Sequence, residues 1–196
     1  MNSRSFVALV IFTLSTSVQA LTFNTVVIDP GHGGRDGGCV WNGLIEKKLC
    51  LDTALRLEKI LKARGLRVVM TRRTDVDVDL DRRAVIANNA SKSVFVSIHY
   101  NASRIRSISG MEVFYRSGRG KFMASKILQW MDVELRGIKR GIYFSGFKVL
   151  RGTIMPAVLV ECGYLSNLTE SRRCATAAHR QDVAEAIAKG IIASRS

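Results

Sequence analysis

Short apolar runs alternate along the chain with longer segments in which apolar residues recur every three or four positions. The runs at 26–28, 94–98 and 157–160 are rich in Val, Ile and Leu, as is typical of strands buried on both faces of a sheet. Less regular patterns predict further strands at 67–71, 110–115 and 148–150. The glycine-rich segment 137–146 is predicted to be a loop.

Helical periodicity occupies the segments between these runs. Residues 46–64 place Cys50, Ala54, Leu57 and Leu61 on a single apolar stripe, which predicts an amphipathic helix. The same criteria predict helices at 80–89 after an Asp79 cap, at 121–136, at 179–192 and, with a capping box of Asn167 and Glu170, just after 167. Alternation of strands with helices predicts an α/β fold: a three-layer α/β/α domain with a central, mostly parallel or mixed twisted sheet.

The first twenty residues differ from the rest of the chain. Arg4 precedes an apolar run at 6–14, and Val18 and Ala20 lie at the −3 and −1 positions of a cleavage site. This pattern is typical of a signal peptide; an uncleaved anchor is the alternative. We therefore expect a signal peptide at 1–20, one domain at 21–196, and an exported protein that is periplasmic or associated with the cell wall.

His32 lies in a turn directly after the first apolar run. In Asp29-Pro30-Gly31-His32 the Pro takes the second position and Gly31 the third, where a type II turn needs a positive φ. Such a turn places the imidazole of His32 just beyond the carboxyl end of a strand, which is the edge where α/β sheets bind ligands. A glycine-rich turn that merely contains a His is the alternative.

Three more polar residues follow or end apolar segments. His99 and Glu161 each end an apolar run, and Glu46 begins the first predicted helix. Two His and one Glu from separate strand ends match a catalytic zinc site that leaves its fourth position open. A structural His in the core would explain one of these residues, but not all four.

The net charge favours an acidic partner. The chain carries 30 Lys and Arg against 16 Asp and Glu, a balance of +14, which becomes +13 when Arg4 leaves with the signal peptide. The basic residues are scattered, and no nucleic-acid-binding motif is present. Because export also argues against nucleic acid, we expect an anionic cell-wall polymer as partner and no stable membrane span after cleavage of the signal.

Two other patterns leave their functions open. The four cysteines, Cys39, Cys50, Cys162 and Cys174, permit two disulfides in three pairings in an exported chain. Ser145 and Lys148 have the Ser-x-x-Lys spacing of penicillin-binding enzymes. That chemistry needs the pair at the start of a helix, whereas the pattern here predicts a loop that leads into a strand. A loop serine and a solvated lysine are therefore preferred.

Several short motifs follow one another in order over residues 25–192. They are VIDPGHGG at 27–34, Glu46 ahead of a helix, TR at 71–72, LDRR at 80–83, AN at 87–88, SIHYNA at 97–102, VLR at 149–151 and PAVLVECGYLSN at 156–167. In this order they resemble the zinc-dependent N-acetylmuramoyl-L-alanine amidases of the Amidase_3 type. Each motif alone is weak, and their agreement with the predicted strand ends makes the match specific.

The resemblance implies one zinc ion per chain, held by His32, Glu46 and His99, with Glu161 as the catalytic carboxylate. It implies hydrolysis of the amide between N-acetylmuramic acid and L-alanine in peptidoglycan, in cell-wall remodelling and cell separation. Some relatives insert an inhibitory helix after the strand that matches 110–115. Only residues 116–120 separate that strand from the next predicted helix, so we expect an ungated, single-domain enzyme. We also expect a monomer. Cys162 departs from the family pattern, and a disulfide there would alter the pocket.

Two other functions remain open. A zinc peptidase could cut within the stem peptide, since the same metal centre cleaves any amide that reaches it. A wall-binding module without catalysis is the other alternative, and the complete set of His32, Glu46, His99 and Glu161 argues against it.

Overall fold

The structure, a computed structural model, describes residues 20–196, so the predicted signal peptide lies outside it apart from Ala20. The strands within this range are β1 (Thr25–Pro30), β2 (Val40–Trp41), β3 (Leu44–Ile45), β4 (Arg67–Met70), β5 (Ser93–Asn101), β6 (Met111–Tyr115), β7 (Lys139–Phe144) and β8 (Ala157–Tyr164). The helices are α1 (Glu46–Ala63), α2 (Leu80–Asn88), α3 (Gly118–Leu135), α4 (Lys148–Gly152), α5 (Leu168–Cys174) and α6 (Ala177–Ala193). No helix in the described range has the length and apolar character needed to cross a membrane.

Six strands form one mixed sheet in the order β4-β1-β5-β8-β6-β7. Strands β4, β1, β5 and β8 run parallel to one another, β6 is antiparallel to β8, and β7 is parallel to β6. The short strands β2 and β3 form a separate antiparallel hairpin. Because the carboxyl ends of the four parallel strands lie at one edge, the residues that follow β1 and β5 are brought together there.

Helices cover the sheet on both faces. Alternate side chains of β1 point to opposite faces: Val26 and Ile28 join the larger core shared with α1, α3 and α6, whereas Val27 joins a smaller core with residues of α2 and α4. All six residues of β1 are buried, as expected for a central strand covered on both faces. This arrangement confirms the predicted three-layer α/β/α architecture.

Two secondary-structure predictions were wrong. Residues 148–150 belong to helix α4, and the predicted loop at 137–146 contains strand β7. A three-residue apolar pattern cannot separate a strand from one helical turn, and here Val149 and Leu150 are both buried against the smaller core. Strand β7 escaped prediction because it is an edge strand without buried residues, and Gly141 interrupts its pattern with a φ of 156°.

The predicted capping box at α5 is only half present. The Asn167 side chain accepts hydrogen bonds from the backbone N–H groups of Thr169 and Glu170. The carboxylate of Glu170 instead accepts from the N–H groups of Gly110 and Tyr164. Glu170 therefore joins the loop before β6 to the end of β8, and does not close the box.

Candidate metal centre and catalytic pocket

His32 follows β1 in a strained turn. The positive φ predicted for Gly31 is found one residue later, because His32 has a φ of 59° and Gly33 follows at 127°. Gly31 continues the strand pairing by donating its N–H to the carbonyl of Ile98 at 2.9 Å. A left-handed conformation is uncommon for a residue with a side chain, so surrounding contacts must hold His32 in place.

Two buried arginines bind the carbonyl groups of this turn. Arg72 donates to the carbonyl oxygens of Pro30 at 3.0 Å and Gly31 at 2.6 Å. Arg83 donates to those of Pro30 and His32, both at 2.7 Å. Three successive backbone carbonyls are thus fixed by charged donors, which form the stronger class of hydrogen bond. This clamp sets the direction in which the His32 side chain leaves the backbone.

The clamp is itself held by a buried carboxylate at the end of β1. Asp29 pairs with Arg83 at 2.8 Å, and both side chains are at most 5% exposed. Asp29 also accepts hydrogen bonds from Thr71 at 2.6 Å and Ser97 at 2.7 Å. Every oxygen of this buried anion therefore has a partner, as burial of a charge requires.

Three potential metal ligands converge beside the turn. The Oε1 atom of Glu46, the first residue of α1, lies 2.9 Å from Nε2 of His32 and 3.0 Å from Nδ1 of His99. One ligand atom from each residue lies within 4.8 Å of the others. The structure thus brings together the three residues that the sequence indicated as ligands, from the β1 loop, the start of α1 and the end of β5.

Neighbouring groups orient two of the three potential ligands, His32 and Glu46. Asp36 lies 2.7 Å from Nδ1 of His32, so this nitrogen is occupied and Nε2 is directed at Glu46. The backbone N–H groups of Cys39 and Tyr100 donate to the two oxygens of Glu46 at 2.9 and 3.1 Å. Histidine ligands of metals commonly carry such a carboxylate on their second nitrogen. Asp36 was not predicted, since a lone Asp in a glycine-rich loop carries no distinguishing pattern.

The charges of the cluster suit a cation. Burial opposes the charged form of Glu46, but hydrogen bonds with His32 and His99 outweigh it and hold the pKa of Glu46 far below its usual range. Burial likewise lowers the pKa of His32, and contacts with Glu46 and Asp36 reverse this into a net increase. A carboxylate and two imidazoles with open nitrogens are a donor set that Zn²⁺ accepts.

Glu161 lies across from His99, its partner in the parallel pairing of β5 with β8. Its Oε2 atom is buried and has no hydrogen-bond partner among residues 20–196. Burial first, and then the charges of Glu46 and Glu112, raise the pKa of Glu161 well above its ordinary value. Strand β8 runs on to Tyr164, so Glu161 does not end the strand as predicted. A buried, unpartnered carboxylate beside the ligand cluster fits a bound cation and its water.

The four residues line one pocket of about 780 Å³, between the start of α2 and the start of α4. Asp79, Arg83 and Lys148 contribute charged groups to its wall, and Phe147 and Leu159 contribute apolar surface. A cavity of this size takes a ligand larger than a single amino acid. The arrangement combines three potential metal ligands, an adjacent buried carboxylate and room for an extended ligand.

Comparison with known proteins identifies the family. Residues 26–193 match the family model Amidase_3, described as N-acetylmuramoyl-L-alanine amidase. The chain belongs to this family. Its predicted enzyme class and its cell-wall substrate are thereby confirmed at the level of the family.

Relatives and solved structures agree with this membership. The chain is 34% identical over 172 residues to the N-acetylmuramoyl-L-alanine amidase LytC of Bacillus subtilis, which is 86% of this chain but only 35% of LytC. It is 31% identical to the germination-specific N-acetylmuramoyl-L-alanine amidase of B. subtilis, over 88% of this chain and 80% of that protein. The crystal structure of an N-acetylmuramoyl-L-alanine amidase from Clostridium difficile 630 superposes with a TM-score of 0.84 at 35% identity, covering 88% and 96% of the two chains.

The amidase fold does not assemble the other motifs noted in the sequence. Ser145 accepts a hydrogen bond from the N–H of Phe147, and Lys148 pairs with Asp81 at 2.7 Å. The Ser-x-x-Lys residues therefore do not act on each other. Cys39, Cys50, Cys162 and Cys174 are all free thiols. Cys39 lies in the pocket wall, where burial, followed by the charge of Glu46, raises its pKa.

Proposed function

We propose that this amidase hydrolyses the bond between N-acetylmuramic acid and L-alanine in peptidoglycan, using one zinc ion held by His32, Glu46 and His99. The observation that carries this proposal is the convergence of the three ligand atoms within 4.8 Å beside the buried, unpartnered Oε2 of Glu161. Three protein ligands with an open fourth position are typical of catalytic zinc. Membership of the amidase family indicates which amide bond is cut.

Zinc bound at this donor set would supply a water activated near neutral pH and a Lewis acid for the substrate carbonyl. Glu161 would accept a proton from the attacking water and deliver it to the nitrogen of the leaving L-alanine. The burial that raises the pKa of Glu161 favours holding this proton between the two transfers. A cation held by His32, Glu46 and His99 would offset that increase and would allow Glu161 to be ionised when water binds.

The remaining side chains hold the machinery in place. Asp36 fixes the tautomer of His32 by occupying Nδ1 at 2.7 Å, which leaves Nε2 open for the metal. The arginine clamp of Arg72 and Arg83 holds the His32 backbone. Positioning of this kind accounts for a large share of catalysis, because small displacements of reacting groups are costly.

We further propose that the mature chain starts near Leu21 and acts outside the cytoplasm. Leu21 pairs with the C-terminal segment, since its N–H donates to Ser194 at 2.7 Å and its carbonyl accepts from Ser196 at 3.1 Å. The folded domain thus includes the residue directly after the proposed cleavage site. A balance of +13 without Arg4 favours retention on an anionic cell wall.

Product analysis tests the proposal against a zinc peptidase that acts within the stem peptide. Purified protein loaded with zinc is incubated with purified peptidoglycan, and the soluble products are identified by mass spectrometry. Free stem peptides that begin with L-alanine are expected. Fragments cut within the peptide would establish the peptidase instead, and intact peptidoglycan together with retained wall binding would indicate a binding module.

A further inference from the structure

One part of the sheet next to Glu161 carries aromatic side chains. In the pairing of β8 with β6, Glu161 lies opposite Glu112 and Leu159 lies opposite Phe114; in the pairing of β6 with β7, Phe114 lies opposite Tyr143. Residues paired across strands share one face of a sheet. A row therefore runs from Leu159 through Phe114 to Tyr143, on the face that carries Glu161.

The rings of this row form a connected surface with Phe147. Phe114 packs against Tyr143 with ring centroids 5.8 Å apart and against Phe147 at 5.1 Å. Tyr143 is 41% exposed and Phe147 42%, so both rings offer surface to a ligand. We call Phe114, Tyr143 and Phe147 the aromatic platform.

The platform is built in advance of any ligand. The hydroxyl of Tyr143 donates to the carbonyl of Arg140 at 3.2 Å, which directs the ring back along β7. Gly141 makes room for it, since a Cβ there would lie 2.9 Å from the Tyr143 oxygen. A ring fixed by a hydrogen bond and by neighbouring rings loses little conformational entropy when a ligand covers it.

The platform is continuous with the catalytic pocket. Phe147 belongs to the pocket lining together with Glu161, and it contacts Phe114 on the other side. Strand β7 lies two strands away from β8, which carries Glu161, and adjacent strands are about 4.8 Å apart. A ligand that extends out of the pocket over Phe147 would therefore reach Tyr143 within about the width of one more aromatic ring.

We propose that the aromatic platform binds the sugar of the glycan strand next to the muramic acid whose amide is cut. This inference rests on the proposed function. The flat apolar faces of aromatic rings match the C–H face of a pyranose. The stem peptide carries carboxylates, and the half-exposed ammonium group of Lys148, which could receive one, lies in the pocket itself. Glycan and peptide would thus leave the reacting amide in different directions.

Kinetics with two substrates test the assignment. Wild type, Tyr143→Ala and Tyr143→Phe are compared on a glycan tetrasaccharide that carries stem peptides and on a monosaccharide muramoyl peptide. Tyr143→Ala is expected to raise KM about tenfold on the tetrasaccharide, with kcat and the monosaccharide kinetics unchanged, and Tyr143→Phe is expected to restore wild-type KM. Equal effects on both substrates, or none on either, would overturn the assignment.

Phe144→Ala is the matched control. Phe144 is the next residue in β7, is 63% exposed, and packs instead with Tyr115 and Arg116. Its removal should leave both substrates unaffected, and an effect equal to that of Tyr143→Ala would reject a face-specific platform. Thermal melting of each variant checks that the fold is retained.

Binding of a peptide-free glycan tetrasaccharide, measured by calorimetry, separates this inference from the proposed function. Binding by wild type that is lost in Tyr143→Ala supports the platform even if no amide is cleaved. Amide cleavage by wild type without any difference between the variants would reject the platform and leave the proposed function intact. A dimer that dissociates in Tyr143→Ala, with no change in glycan binding, would assign the surface to a second copy of the chain and overturn the sugar site.

Discussion

Gly31 lies directly against the imidazole of His99. A Cβ at Gly31 would be 2.3 Å from Cε1 and 2.5 Å from Nε2 of that ring, which is far inside van der Waals contact. The ring must stay where its Nδ1 atom is 3.0 Å from Glu46. The close approach of two neighbouring strand ends, and not backbone conformation, therefore requires a glycine at this position.

Gly31→Ala should displace His99 and lower zinc content well below one per chain, with activity falling in parallel. Mass spectrometry of the metal in purified protein measures this directly. Gly37→Ala is the control in the same loop, because a Cβ there would meet only Ile45 at 3.8 Å. Full zinc content in Gly31→Ala would contradict this prediction, because it would show that the His99 ring can move without loss of the metal.

Asp36→Asn should weaken zinc binding about 10- to 100-fold, because the carboxylate that orients His32 through Nδ1 is replaced by a neutral amide. Competition with a chelator gives the affinity. Asp132→Asn serves as control, since Asp132 pairs only with Lys139 on the surface. Equal affinity in Asp36→Asn and wild type would remove Asp36 from the metal site.

Arg83→Met should destabilise the fold by about 3–5 kcal/mol, because it leaves the carboxylate of Asp29 buried without its charged partner. The pair is 2.8 Å apart, with Arg83 5% and Asp29 1% exposed. Urea unfolding of the variant gives the free energy. Arg82→Met, at the exposed neighbouring position of α2, should change it by less than about 0.5 kcal/mol.

The four residues His32, Glu46, His99 and Glu161 could be found from the sequence because each follows or ends an apolar segment. Parallel strands deliver their carboxyl ends to one edge, so strand ends far apart in sequence meet there. The family and the enzyme class predicted from this order are confirmed. The roles of these four residues, the identity of the metal, the signal peptide and the monomeric state remain predictions.

The supporting contacts could not be predicted in the same way. Arg72 and Arg83 reach the His32 turn from positions 41 and 51 residues away in sequence, and their targets are backbone carbonyls, which leave no side-chain pattern. Glu112 faces Glu161 only because β6 pairs antiparallel with β8 in one register. Register follows from packing of the whole sheet, so local periodicity does not reveal it.

His179 makes stability depend on pH at the start of α6. Burial first, and then the charge of Arg173, lower the pKa of His179 from 6.5 to about 4. Below pH 6.5 the unfolded chain binds a proton at His179 more readily than the folded chain does. The free energy of unfolding therefore decreases as pH falls from 6.5 toward pH 4. Wild type should lose about 1–3 kcal/mol more than His179→Gln over this range. Urea titrations at several pH values measure both, and parallel curves would show that His179 ionises freely in the folded protein.

Glu161→Gln separates binding of the metal from its use. The amide keeps the size of the side chain, and the ligand set of His32, Glu46 and His99 is untouched, so zinc content and melting temperature should remain at wild-type values. Hydrolysis should fall by a factor of about 10² to 10⁴, which is the usual contribution of a positioned general acid–base group.

The neighbouring carboxylate provides the comparison for this experiment. Glu112 is paired with Glu161 in the sheet, but it is bound by Arg140 and accepts a hydrogen bond from Tyr164 at 3.1 Å. These contacts occupy Glu112, so it is a poor proton carrier, and Glu112→Gln should retain far more activity than Glu161→Gln. Loss of zinc in Glu161→Gln would make Glu161 a fourth ligand that closes the site. Near-normal hydrolysis in Glu161→Gln with loss in Glu112→Gln would transfer the role of base to Glu112, and the proton would then have to cross from β8 to β6.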